Sequence, residues 1–197
     1  MITEKRQRRG ERGAAMVEMA VILPLLLLLV IGILEYGLLF GEKLTIAAAT
    51  SSATRTGATM GQEDTADIRM LEALEAGLYD QVDAGVLISV EIFRAVAVDG
   101  TKTADINTYD YFPSDLTCKW DPCPLPGHPR FGYGGSWWPE YRNTTLFPGG
   151  GGLDVLGIEV TYFHTSITDL IPGVERAFHE RALIRLEPDT FGTAPPP

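Results

Sequence analysis

The chain has 197 residues, is 45% hydrophobic and carries a formal net charge of −10. That acidity argues against nucleic acid as a partner, because phosphate contacts require Lys and Arg. The averages conceal a sharp split, since no charged residue occurs between Met19 and Leu34.

Residues 1–13 form a basic stub in which Lys5, Arg6, Arg8, Arg9 and Arg12 outnumber Glu4 and Glu11. Apolar character then runs from Ala14 to Phe40, broken only by Glu18 and Glu35. A bilayer core about 30 Å thick needs about 20 helical residues, so 14–40 predicts one transmembrane helix. The positive-inside rule keeps the stub cytoplasmic and sends the remainder across the membrane. With the stub's five basic and two acidic residues set aside, the rest of the chain carries −13. A cleaved secretory signal fits less well. Its apolar core is usually about 7–15 residues with small residues directly after, and here Ala47-Ala48-Ala49 lie well past the end.

Glu18 is the anomaly in this segment. A carboxylate at the centre of a spanning helix costs roughly 2.5–3.5 kcal/mol, and less near the ends. One reading is an acid that snorkels to the interface. The other requires a partner. A cut after Gly13 would give Ala14 a free ammonium, and the ammonium of one subunit could pair with Glu18 of its neighbour and fix the packing register.

The residues "RGAAMVEMAVILP", with Arg12-Gly13, Val17-Glu18, Leu23-Pro24 and a later Glu35-Tyr36-Gly37, carry a resemblance. This start is similar to the type IV prepilin class, and within it to the TadE-like proteins of the tight-adherence (Flp) pilus. It departs at Met19, where the class often has an aromatic residue. The resemblance implies cleavage between Gly13 and Ala14 by a prepilin peptidase and an assembly role for Glu18. It also implies other pilins and an inner-membrane assembly platform as partners in a hetero-oligomeric assembly.

Pro24 lacks a backbone donor and is expected to kink the helix, which spanning helices tolerate. Glu35 follows Glu18 by 17 positions, about 25 Å along the axis, so the two acids bracket the apolar core. Glu35 and Tyr36 read as an anchor at the far interface, with a specific assembly contact as the other possibility.

Residues 41–61 are rich in small side chains. They read as a helix leaving the bilayer, with Ala47, Ala48, Ala49, Ser52 and Ala53 packing closely; a Ser/Thr linker is the alternative. An exported domain over 62–190 follows. Ile68, Leu71, Leu74 and Leu78 recur at helical spacing after Asp64-Thr65. Val86, Ile88, Val90 and Ile92 alternate with Ser89 and Glu91 in a strand ending at Asp99-Gly100. Two further strands place Ile158, Val160 and Tyr162, then Ala182, Ile184 and Leu186, inward. The whole reads as an α+β fold with a mostly antiparallel sheet.

Residues 101–155 form a long irregular region with Trp120, Trp137, Trp138 and both cysteines. Tyr109, Tyr111, Phe131, Tyr133 and Tyr141 argue against its full disorder. Outside the cytoplasm Cys118 and Cys123 are expected to form a disulfide; two free buried thiols are the alternative. His128, His164 and His179 do not stand at ligand spacing from them, so no metal site is expected. Asn143 begins an N-T-T sequon, and the glycines at 149–152 read as a hinge. The tail 191–197 is expected to be disordered.

No GxSxG, HExxH or phosphate-loop pattern occurs, so neither an enzyme nor a cofactor is expected. Three functions compete: a processed minor pilin, an unprocessed single-span accessory protein, and an unrelated anchored domain that binds through its aromatic loop.

Overall fold

The structure is a computed structural model. It describes residues 2–78, 87–113, 117–125, 135–145, 152–164 and 176–188, with backbone alone over 2–13 and at Arg176. The chain forms helix α1 (Ile2–Met60), helix α2 (Ala66–Leu78), and strands β1 (Leu87–Ala95), β2 (Lys102–Tyr111), β3 (Trp120–Asp121), β4 (Val155–His164) and β5 (Arg176–Arg185). The strands make one sheet in the order β3-β2-β1-β4-β5, every neighbour antiparallel. This is the expected α+β architecture of a long apolar helix followed by a small domain.

At 59 residues, α1 is about 88 Å long. Leu, Ala and Met favour this conformation, and the helix passes through Pro24 without a break. It ends where Gly61 adopts φ +56° and returns its N–H to the Gly57 carbonyl at 3.1 Å, a left-handed cap that suits glycine.

The two ends of α1 differ in environment. From Met16 to Phe40 most large apolar side chains are exposed. From Ile46 onward one face is buried through Ala49, Thr50, Ala53, Thr54, Gly57 and Ala58. Ala48 and Ser52, expected in the close packing, face outward instead. They lie one residue to the side of the 46-49-53 stripe. The buried threonines are satisfied within the helix. Thr50 donates to the Ile46 carbonyl at 2.7 Å and Thr54 to the Thr50 carbonyl at 2.6 Å.

A short turn sends α2 back antiparallel along α1. Two glycines set the approach. A Cβ on Gly77 would stand 2.7 Å from the Ala49 Cβ, and one on Gly57 would stand 2.3 Å from the Met70 sulfur. Both helices cover one face of the sheet. Leu71 and Leu74 of α2 share the core with Ile92, Leu156, Ile158 and Val160.

β1 departs from strict alternation. Val90 and Ile92 point inward as expected, but Ile88 is exposed and Leu87 is buried. The β1–β4 register slips between Leu87 and Ser89, and one extra residue reverses the facing of those before it. Val86 lies outside the described residues. The outward Phe93 is nevertheless buried. It fills the space over Gly157, with Lys102 at 5.1 Å and Arg181 at 5.3 Å above its ring.

β2 falls within the stretch expected to be irregular. Its inward positions are Asn107, Tyr109 and Tyr111. A polar Asn at the first of these removes the apolar/polar contrast on which strand reading depends. Phe131, Tyr133, His128, glycines 149–151 and the tail 191–197 lie outside the described residues.

Candidate functional site

The N-terminal half of α1 is the one helix among the described residues long and apolar enough to cross a membrane. Its apolar surface is not used by the domain. Met16, Val17, Met19, Val21 and Leu25 are all exposed, so the segment is surfaced for lipid or for other helices. Glu18 lies in this exposed portion, four residues after Ala14, and that spacing puts both on one helix face. Backbone helix continues unbroken across Gly13 and Ala14.

Glu35 and Tyr36 separate. Tyr36 is half exposed, whereas Glu35 retains 3% of its surface. Glu35 begins a stripe of Leu39, Glu42, Ile46, Ala49 and Ala53 at alternating steps of four and three. That stripe is the face on which the domain sits. The domain therefore reaches down α1 to the level of Glu35.

The next acid on the stripe makes the joint. Glu42 accepts a hydrogen bond from Nδ1 of His164, the last residue of β4. The Phe178 ring meets His164 edge-on at 6.4 Å and stacks on Tyr162 at 5.7 Å. Burial, then the charges of Glu42 and Glu180, push the Tyr162 phenol up to about 12.

A second polar centre holds the far side of the domain. The buried Asp67 carboxylate of α2 accepts from Tyr109 at 2.6 Å, from Asn107 at 3.0 Å and from Arg142. Asn107 also clasps the backbone of Trp137, donating to its carbonyl at 2.8 Å and accepting from its N–H at 3.0 Å. Arg142 lies over the Trp137 ring at 4.8 Å. Burial, reinforced by the Asp67 charge, drives the Tyr109 phenol far above its ordinary range. The centre thus fixes the segment 135–145 against α2 and β2.

Cys118 and Cys123 are joined in a disulfide with Cα atoms 6.0 Å apart. The loop holds Trp120, whose indole N–H donates to Glu75 of α2 at 2.8 Å and whose ring meets Tyr111 at 4.9 Å. Trp120, Trp137, Tyr109 and Tyr111 are all buried. Among the described aromatic residues of this region these four build core, whereas Phe112 and Tyr141 are exposed. No group of three or more His, Cys, Asp or Glu among the described residues could hold a metal ion.

Sequence reasoning did not single out Asp67, Glu42, His164 or Arg142. Three of them carried a signal. Asp67 shares the helical face of Met70, Leu71 and Leu74, and Glu42 lies four residues before Ile46. His164 continues the inward series 158, 160, 162. Arg142 sits in irregular backbone, where no period applies.

Compared with known proteins, residues 13–55 match the family model described as TadE-like protein. No curated protein and no solved structure matches the chain.

Proposed function

Proceeding from this TadE-like segment, we propose that the protein is a minor pilin or pseudopilin of a tight-adherence type pilus or related secretion system. It is held by one membrane-spanning helix with its N-terminus cytoplasmic and its domain outside. The observation that carries this reading is the exposed apolar surface of α1 with Gly13, Ala14 and Glu18 in the prepilin arrangement. A prepilin peptidase cuts after Gly13, and the new Ala14 ammonium pairs with Glu18 of a neighbouring subunit as their helices pack. Two charges otherwise buried in an apolar setting then relieve each other. Other pilins and the membrane platform are the partners.

The test is the mass of the chain extracted from membranes that contain a prepilin peptidase. A chain starting at Ala14 supports the reading, and an intact stub sinks it. One observation favours a second reading, an unprocessed anchored accessory protein: α1 is continuous from Ile2 through the Gly13-Ala14 bond.

A further inference from the structure

The height of the domain above the membrane can be read along α1. The apolar run from Ala14 to Phe40 makes about 40 Å of helix, which matches a bilayer with its headgroup layers at about 40–45 Å. Around most of the circumference its last turns stay bare, with Leu34, Tyr36, Leu38 and Phe40 exposed. Along the stripe that carries Glu35 the same levels are occupied. Glu35 is buried, and Ile31 and Leu39 are partly covered. The domain therefore begins beside helix that has not yet left the membrane, and its near end shares the headgroup layer.

That end of the sheet is a row of strand ends. β4 closes there at His164, which is bonded to Glu42. β1 opens beside it, with Leu87 paired to Tyr162. β2 closes at Tyr111, after which Phe112 donates its N–H to the Lys119 carbonyl at 2.6 Å. These three strands are adjacent in the sheet, and each ends in one large apolar side chain that the fold does not use. Ile88 is 42% exposed, Phe112 45% and Phe163 41%. Each adjoins a buried, inward residue, Leu87, Tyr111 or Tyr162, so the three turn away from the helices. Farther from the membrane the same face carries the ion-paired Lys102, Glu159 and Arg181.

Single exposed apolar side chains are ordinary on a protein surface. Three on adjacent strand ends, at the level where the anchor leaves the bilayer, have the bilayer itself as their neighbour. Aromatic rings suit that layer. The exposed charges beside Phe112, Asp110 and Asp121, are acidic, and Lys119 is held by Glu75 at 3.2 Å. The contact is therefore apolar and not an attraction for anionic headgroups.

We infer that the domain rests on the membrane in which it is anchored, with Ile88, Phe112 and Phe163 set into the headgroup layer on its own side. The Glu42–His164 joint and this rim are then two separate supports, and together they fix the tilt of the sheet against the membrane plane. The inference rests on α1 spanning the bilayer and on no other part of the assembly reading.

The experiment reconstitutes the full chain in phosphatidylcholine vesicles, with an environment-sensitive fluorescent amino acid at Phe112, at Val98 or at Leu27. Val98 stands in the turn between β1 and β2 at the far end of the sheet, and Leu27 lies in mid-span. Nitroxides on the lipid headgroup or deep on the acyl chain report depth by quenching. The expected result is headgroup quenching at Phe112 and deep quenching at Leu27, with neither at Val98 and no effect of added salt. In Ile88→Ser with Phe163→Ser the Phe112 quenching should fall to the Val98 level, while protected amides at Ile92 and Ile158 show that the sheet is intact. Quenching at Leu27 with none at Phe112 overturns the resting domain and leaves the span standing. No quenching at Leu27 overturns both. Undiminished Phe112 quenching in the folded double variant, or quenching that requires anionic lipid, overturns the apolar rim. A blue-shifted Phe112 probe that headgroup nitroxide does not reach, and that reverts on dilution in lipid, assigns the rim to a second copy and overturns the inference.

Discussion

The Arg142 guanidinium and the Asp67 carboxylate form an ion pair that solvent does not reach. Nε and Nη1 of Arg142 have no hydrogen-bond partner among the described residues, so the charge depends on Asp67 and on the Trp137 ring. A buried pair of this kind is worth little against an apolar replacement, yet losing one member leaves the other charge stranded. Asp67→Ala and Arg142→Ala should each lower unfolding free energy by about 3–5 kcal/mol. The double variant Asp67→Leu with Arg142→Met should recover much of that loss. Denaturant unfolding of the detergent-solubilised chain measures all three. Single variants within error of wild type would show that the segment 135–145 is held by other contacts.

The outer face of the sheet predicts a pH profile. Lys102 bridges Glu159 at 2.6 Å and Glu91 at 2.5 Å, and Arg181 also holds Glu159. Burial alone would raise the Glu159 carboxyl, but hydrogen bonds and charge from Lys102 and Arg181 outweigh it and hold it below its usual 4.5. For Lys102 burial acts to lower the ammonium, and the two carboxylates more than offset this and hold it above 10.5. A depressed acid stabilises above its unfolded value and stops doing so as pH falls through its folded one. A raised base stabilises below its unfolded value and loses this as pH rises through its folded one. The cluster therefore contributes between the two limits and fades beyond each. The melting temperature of Glu159→Gln should lie below wild type at pH 7, and the gap should close as pH drops below 4.5. A gap that stays constant down to pH 3 would rule out this linkage.

The disulfide closes a short loop, and the chain-entropy model gives about 2 kcal/mol for a ring of this size. Cys118→Ser with Cys123→Ser should therefore leave the fold standing while loosening its edge. The local signs are faster hydrogen exchange at Trp120 and Asp121 and a shifted Trp120 fluorescence, because the Glu75 contact depends on how the loop is held. Exchange across β2 should rise less, since Ser136 also covers that edge. Global unfolding of the serine variant would refute a purely local role.

Periodicity made part of this structure legible. The uncharged run 19–34, the series 68, 71, 74, 78 and the inward series 158, 160, 162 each repeat one contrast along one element, and each element formed where its pattern lies. Where the contrast is broken, reading fails. β2 turns Asn107 inward because Asp67 and Trp137 hydrogen-bond it, and only the tertiary structure supplies those partners. Ile88 faces out because of a register slip that no residue type announces. At the candidate site, the spacing of Gly13, Ala14 and Glu18 was readable because its chemistry is local. The burial of Glu35 was not, because it depends on how far the folded domain reaches down α1.

That difference between the two acids supplies the last prediction. Glu18 is exposed in the isolated chain, so Glu18→Gln should leave the fold unchanged. It should also ease membrane insertion, since an intramembrane carboxylate costs roughly 2.5–3.5 kcal/mol at mid-bilayer and somewhat less near an end. If Glu18 pairs with the Ala14 ammonium of a neighbour, its loss strands that ammonium at about 3–5 kcal/mol per contact, a large penalty in a repeating assembly. The expected phenotype is a stable, inserted and processed chain that no longer co-purifies with pilus partners. Glu35 lies on the face covered by the domain, so Glu35→Gln should act on the chain itself. It should lower the melting temperature and increase proteolysis near the α1 joint, while any folded fraction still assembles. The measurements are membrane abundance, melting temperature and co-purification for both variants side by side. Normal assembly of abundant Glu18→Gln protein would mean that Glu18 merely reaches for the interface. Lost assembly in Glu35→Gln with unchanged melting would move the intersubunit contact to the other end of the span.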